Sequence, residues 1–230
     1  MNVKDNGMWV NPTTLPTQLK SPTLEAVRLL LELRLKTFIG FAELEAEQGV
    51  ITTELVASDK LGQDQIRLLW SRTVEELLEA DEAKDWTHVQ EEIIDAVNYF
   101  WAIIVAESTG HFQSAPVIES FVMGWLHIAS TVNPFSKALS FGEPEGTKDW
   151  SFELAVPFMR ASNDLLSKLR NRSWQRQAQS VYFDGMPQLE HVMFELGCLV
   201  AGAFDSEWDE FVALYISKDN VLQHRLETKY

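Results

Sequence analysis

From Pro22 to Pro116 the chain contains no proline. A proline inside a helix removes a backbone donor and clashes with the preceding turn, so this interval is free to form long helices. Its apolar residues recur at helical spacing. Residues 23–48 carry Leu24, Val27, Leu30, Leu31, Leu33, Leu35, Phe38, Phe41 and Leu44, with Ser21-Pro22 as a start signal and Gly49 as a stop. After a break over residues 50–63, a second segment at 64–83 carries Ile66, Leu68, Leu69, Val74, Leu77 and Leu78. A third, at 86–108, carries Val89, Ile93, Ile94, Val97, Phe100, Trp101, Ile104 and Val105. Further helices are expected at about 114–130, 151–171, 187–203 and 206–226, with Pro157 interrupting the second of these. Residues 131–150 hold enough Pro and Gly for an exposed loop, and only Ser180–Phe183 alternates like a strand. The pattern predicts an all-α helical bundle. An irregular arm at 1–21 precedes one domain at 22–230.

Composition narrows the function. A chain of 230 residues with 46% hydrophobic residues can fill one sizeable core. A net charge of −15 argues against non-specific nucleic-acid binding, which needs clustered Lys and Arg. The single cysteine, Cys198, permits neither an internal disulfide nor a Cys-rich zinc site, and its apolar neighbours predict burial. There is no apolar leader and no run of roughly 18 apolar residues, so the expectation is a soluble cytoplasmic protein with no membrane partner.

Two acidic phrases lie in consecutive predicted helices, Glu76-Leu-Leu-Glu79 and Glu92-Ile-Ile-Asp95. Positions i and i+3 share a helix face, so each phrase points two carboxylates one way. Residues 80–91 are enough to turn one helix back on the other, and a central antiparallel pair would bring the four acids together. Such acids are commonly only a solvated helix face. Here, however, Leu77 and Leu78 lie inside one phrase and Ile93 and Ile94 inside the other, which sets charge beside core positions on both helices. Four facing carboxylates repel unless a cation sits between them, and hard oxygen ligands suit Mg²⁺, with Mn²⁺ as the alternative. Glu75 is a second candidate beside Glu76 and Glu79.

ExxE, a spacer and ExxD on paired helices resembles the all-α NTP pyrophosphatase superfamily, which includes MazG-type enzymes, dimeric dUTPases and bacteriophage dCTPase-dUTPases. The phrase Glu92-Ile-Ile-Asp95-Ala-Val-Asn98-Tyr-Phe is similar to the E-[IL]-[IV]-D-x-x-H-F motif of the dimeric dUTPases. Downstream, Leu214-Tyr-Ile-Ser-Lys218-Asp-Asn220-Val-Leu-Gln-His-Arg225 resembles that group's Y-[IL]-x-K-N-x-L-N-x-F-R. The chain departs from the pattern in several places. Asn98 stands where the family has His, Asp219 is extra, Arg225 falls one residue early, and Lys229-Tyr230 replaces a closing Gly-Tyr. The stretch Leu31–Thr37 lacks the Gln/Asn-rich character that helps recognise uracil, and aligning Glu76 with the second family glutamate puts Thr73 at the first.

The resemblance implies Mg²⁺-dependent hydrolysis of a deoxynucleoside triphosphate, dUTP or dCTP, between the α and β phosphates. The products would be the monophosphate and pyrophosphate, and the enzyme a homodimer. Glu76, Glu79, Glu92 and Asp95 would hold metal, Glu76 being also the candidate base for the attacking water. Asn98, Lys218, Asn220 and Arg225 would contact substrate, with Arg225 suited to bidentate phosphate contact and Lys218 to a point charge. Lys218 and Arg225 also read simply as cations near a helix C-terminus. The basic phrase Arg170-Asn-Arg172-Ser-Trp174 reads either as a phosphate or subunit contact or as a helix end. The five histidines show no HExxH-type spacing and read as ordinary surface or core residues. The eight tryptophans read mostly as core, with Trp70 or Trp86 as a candidate to stack on a base near the acidic hairpin. Walker, GxGxxG and GxSxG phrases are absent. Two alternatives stay open: a related pyrophosphatase with another base preference, and an inactive helical interaction protein.

Overall fold

A computed structural model describes residues 8–47, 63–107, 115–131, 155–169 and 186–228. Among these the only regular elements are helices: α1 (Leu24–Glu47), α2 (Gln63–Glu82), α3 (Trp86–Glu107), α4 (Ala115–Ser130), α5 (Val156–Leu169), α6 (Met186–Ala203) and α7 (Trp208–Thr228). The fold is all-α. No described helix is long and apolar enough to cross a membrane. Residues 132–150 of the expected loop, the extended Ser180–Phe183 and the basic phrase Arg170–Trp174 lie outside the described residues.

Local chemistry sets where the helices begin. Thr23, not Ser21, caps α1: its hydroxyl accepts from the Ala26 N–H at 3.1 Å. Asp85 caps α3, its carboxylate accepting from the His88 N–H at 3.0 Å. Pro157 lies at the second position of α5 as described, in a first turn where proline is tolerated, and residues 151–154 of the helix expected there lie outside the described residues. Asp205 and Ser206 adopt left-handed φ angles of 51° and 64°. Ser206 N–H there donates to the Ala201 carbonyl at 2.8 Å, ending α6 so that α7 can begin at Trp208.

The core follows the apolar periodicity. α1 buries Ala26, Val27, Leu30 and Leu31; α3, α6 and α7 are buried over much of their circumference. Edge-on aromatic contacts tie α3 and α7 to α4, with Trp101 against Phe121 at 5.6 Å and Trp125 against Trp208 at 4.9 Å. Cys198 is buried as expected. Helices α4 and α6 cross with their backbones in near contact: a Cβ at Gly124 would meet the Phe194 carbonyl, and one at Gly197 the Phe121 carbonyl. Only glycine permits this approach.

The N-terminal arm is irregular but not loose. It forms two short 3-10 turns, Pro12–Thr14 and Thr17–Leu19, and buries Leu15 and Leu19. Val10 N–H donates to Ser217 Oγ at 2.8 Å, and Trp208 Nε1 donates to the Leu19 carbonyl at 2.8 Å. Both bonds lay the arm along α7.

Candidate metal and ligand site

Three residues, Ala83 to Asp85, join α2 to α3, so the chain doubles back and the two helices pack along each other. Their carboxylates converge: one oxygen each from Glu76, Glu79 and Glu92 lies within 4.8 Å of the others. Glu75 points elsewhere and is held by Arg72 at 2.6 Å in an exposed pair. Thr73 is fully buried and returns its hydroxyl to the Leu69 carbonyl at 2.9 Å, so it faces its own helix and not the acids. The sequence reading took Leu77 and Leu78 alike as core positions. Leu77 is buried, but Leu78 is 58% exposed. Neighbours on a helix lie about 100° apart, which a hydropathy pattern separates poorly, and only one of the two is turned into the core.

The convergence has an electrostatic cost. The Glu76 carboxyl is pushed up to about 8, first by burial, then by a hydrogen bond with Glu92 and by the charges of Asp95, Glu92 and Glu79. Glu76 thus holds a proton near neutral pH and gives it toward Glu92. On its other side Glu92 meets His88 Nε2 at 2.7 Å. The i, i+4 spacing of His88 and Glu92 was legible in the sequence, but a search for metal-type histidine spacing passes over it.

Asp95 lies one turn beyond Glu92 and outside the group of three. Its Oδ2 takes a hydrogen bond from Lys218 Nζ on α7 at 2.6 Å. Burial raises the Asp95 pKa, and Lys218 opposes that shift by charge and hydrogen bond. Arg225, exposed in the last turn of α7, also acts on Asp95 through its charge. Asn220 is exposed, and two residues past Lys218 on a helix turn it roughly 200° away from that side chain.

Beside Asp95 is a buried polar junction that the sequence reading did not assemble. Asn98, 4% exposed and one turn beyond Asp95, has neither side-chain atom paired among the described residues. Arg34, 7% exposed on α1, donates from Nε to the Asn98 backbone carbonyl at 2.9 Å, while its Nη1 is unpaired. Burial lowers the Arg34 pKa, and the nearby Tyr215 and Asp219 work against that. Asp219, fully buried, accepts from Thr37 Oγ1 and Gln223 Nε2, each at 2.7 Å. Trp101 Nε1 and Tyr215 Oη are likewise unpaired, their rings 5.2 Å apart. Buried polar atoms are ordinarily satisfied by protein, ordered water or a ligand, so this junction offers several donors and acceptors to a polar occupant. In the sequence Arg34 alternates with leucines between Glu32 and Lys36, and nothing there marks it as the one that is buried.

Trp70 packs on Phe100 and Phe158, both at 6.5 Å, and belongs to the aromatic core. Trp86 also packs against the core.

The donor set fits a hard divalent cation. Oxygen ligands of Mg²⁺ lie at about 2.1 Å, which puts opposite ligands about 4.2 Å apart. The 4.8 Å span of the three carboxylates is on that scale. Comparisons with protein-family models, curated proteins and solved structures find no match for this chain.

Proposed function

We propose that the protein is a Mg²⁺-dependent nucleoside triphosphate pyrophosphohydrolase, acting on dUTP with dCTP as a second candidate. The observation that carries this reading is the convergence of Glu76, Glu79 and Glu92 from two helices onto one point. The two-motif resemblance to all-α NTP pyrophosphatases and the unpaired polar groups next to Asp95 support it.

Bound Mg²⁺ would supply charge neutralisation for the phosphates and acidify a water. Glu79, Glu92 and Asp95 are the residues to hold it, with Glu76 as a further ligand or as the base. Glu76 suits the second role because a cation among the acids would offset the charges that keep its carboxyl protonated, freeing the carboxylate to take a proton from water. Lys218 and Arg225 on α7 offer positive charge to the outer phosphates. Asn98 and Arg34 lie on the far side of Asp95, where the nucleoside end of the substrate would reach. A related pyrophosphatase with another base preference is the second reading, favoured by the buried Arg34 guanidinium and the Asn98 amide, which stand in place of the dimeric dUTPases' uracil-reading pattern. A homodimer belongs to this reading by resemblance.

The test is incubation with each nucleoside triphosphate and Mg²⁺ while products are separated. Pyrophosphate and monophosphate are expected. Release of single orthophosphate, or no turnover with any nucleotide, refutes the reading.

A further inference from the structure

Three of the acids converge, but the fourth is engaged by an ammonium. Arg28–Glu25, Arg72–Glu75, His88–Glu92 and His191–Glu195 each pair within one helix. Lys218–Asp95 differs from these, because it ties α7 to α3 and both side chains are largely shielded, at 16% and 31% exposed. Asp95 lies one turn along α3 from the converging three, and Lys218 supplies the positive charge that compensates it. Lys218 Nζ bonds only Oδ2, but an ammonium and a divalent cation drawn to one carboxylate repel each other, so each weakens the other's hold on Asp95.

We propose that Lys218 is the resident countercation of Asp95, that it leaves this carboxylate when a divalent cation binds, and that the freed ammonium then meets the phosphates of the ligand. The inference rests on the reading of the acidic cluster as a metal centre. That a ligand belongs beside Asp95 is supported independently by the orphaned amide of Asn98 and by Arg34 Nη1, both on residues more than nine-tenths buried. The long, flexible stem of lysine lets its charge move while α7 stays in place. Because the exchange links two binding events, metal and polyphosphate each strengthen the binding of the other.

The test titrates Mn²⁺ into wild-type protein, Lys218→Met and Lys218→Arg by calorimetry at pH 8.5 with no nucleotide, then inorganic pyrophosphate into each Mn²⁺-saturated protein. Without its competitor, Lys218→Met is expected to bind Mn²⁺ about tenfold tighter and pyrophosphate about tenfold more weakly, within the usual range of ligand coupling. Lys218→Arg, which keeps the charge, should stay near wild type in both. Equal or weaker Mn²⁺ binding by Lys218→Met overturns the exchange and leaves the metal centre standing. Failure of the wild-type protein itself to bind Mn²⁺ removes the metal centre and the exchange together.

Discussion

The guanidinium of Arg34 on α1 donates through Nε to the backbone carbonyl of Asn98 on α3, 64 positions along the chain, at 2.9 Å. A carbonyl inside a helix already accepts one intrahelical bond, so this charged donor uses its second lone pair and fixes α1 against the residue after Asp95's turn. Replacing Arg34 by Gln should destabilise the protein by about 2 kcal/mol, the usual worth of a hydrogen bond to a charged group. Urea unfolding measures this. A variant as stable as wild type would show that Arg34 contributes no net stability.

Glu76 predicts the direction of a pH dependence. Its pKa is raised from 4.5 to about 8 in the folded protein, so the folded state binds more protons than the unfolded state between those values. Stability contributed by the neutral carboxyl is complete below about 4.5 and is lost as pH rises through about 8. Glu76→Gln, which cannot ionise, should therefore gain melting temperature relative to wild type between pH 5 and pH 8.5, by at least about 2 °C. A constant difference across that range contradicts the assignment.

Loss of a metal-holding acid should silence turnover without unfolding the chain. Glu92→Gln and Asp95→Asn are each expected to lower kcat by more than about 100-fold, beyond what loss of a mere supporting contact costs. Circular dichroism of each variant should keep the wild-type helical signal. Activity surviving both substitutions would place the chemistry elsewhere.

Gly124 tests the fold independently of the site. Adding a methyl group there pushes into the Phe194 carbonyl, a backbone atom that cannot rotate away. Gly124→Ala should cost about 3 kcal/mol, at the upper end of overpacking, with a matching loss at Gly197→Ala. Chemical denaturation of either variant gives the answer.

The helices were legible because their cores are periodic: the predicted ends of α1, α2 and α3 agree with the observed ones to within one or two residues. The site was legible only in its ingredients. Glu75, Glu76 and Glu79 all occupy one stretch of helix, and the direction of α3 decides which two face it; the sequence holds no record of that direction. Asp219 entered as an extra residue in a motif, yet it is fully buried, because its partners Thr37 and Gln223 come from two different helices. Arg34 alternates with leucines between Glu32 and Lys36, and the sequence alone could not tell a snorkelling arginine from a buried one.

Residues 10 and 19 are bonded to residues 217 and 208, which are synthesised far later. The arm therefore waits, without its partners, until nearly the whole polypeptide has left the ribosome. The neighbour of Ser217 is Lys218, so the same closing event that seats the arm also brings the ammonium to Asp95. Contacts of such long range make folding slow relative to helix formation. A nascent chain of this protein therefore carries Asp95 long before it carries that carboxylate's counter-charge.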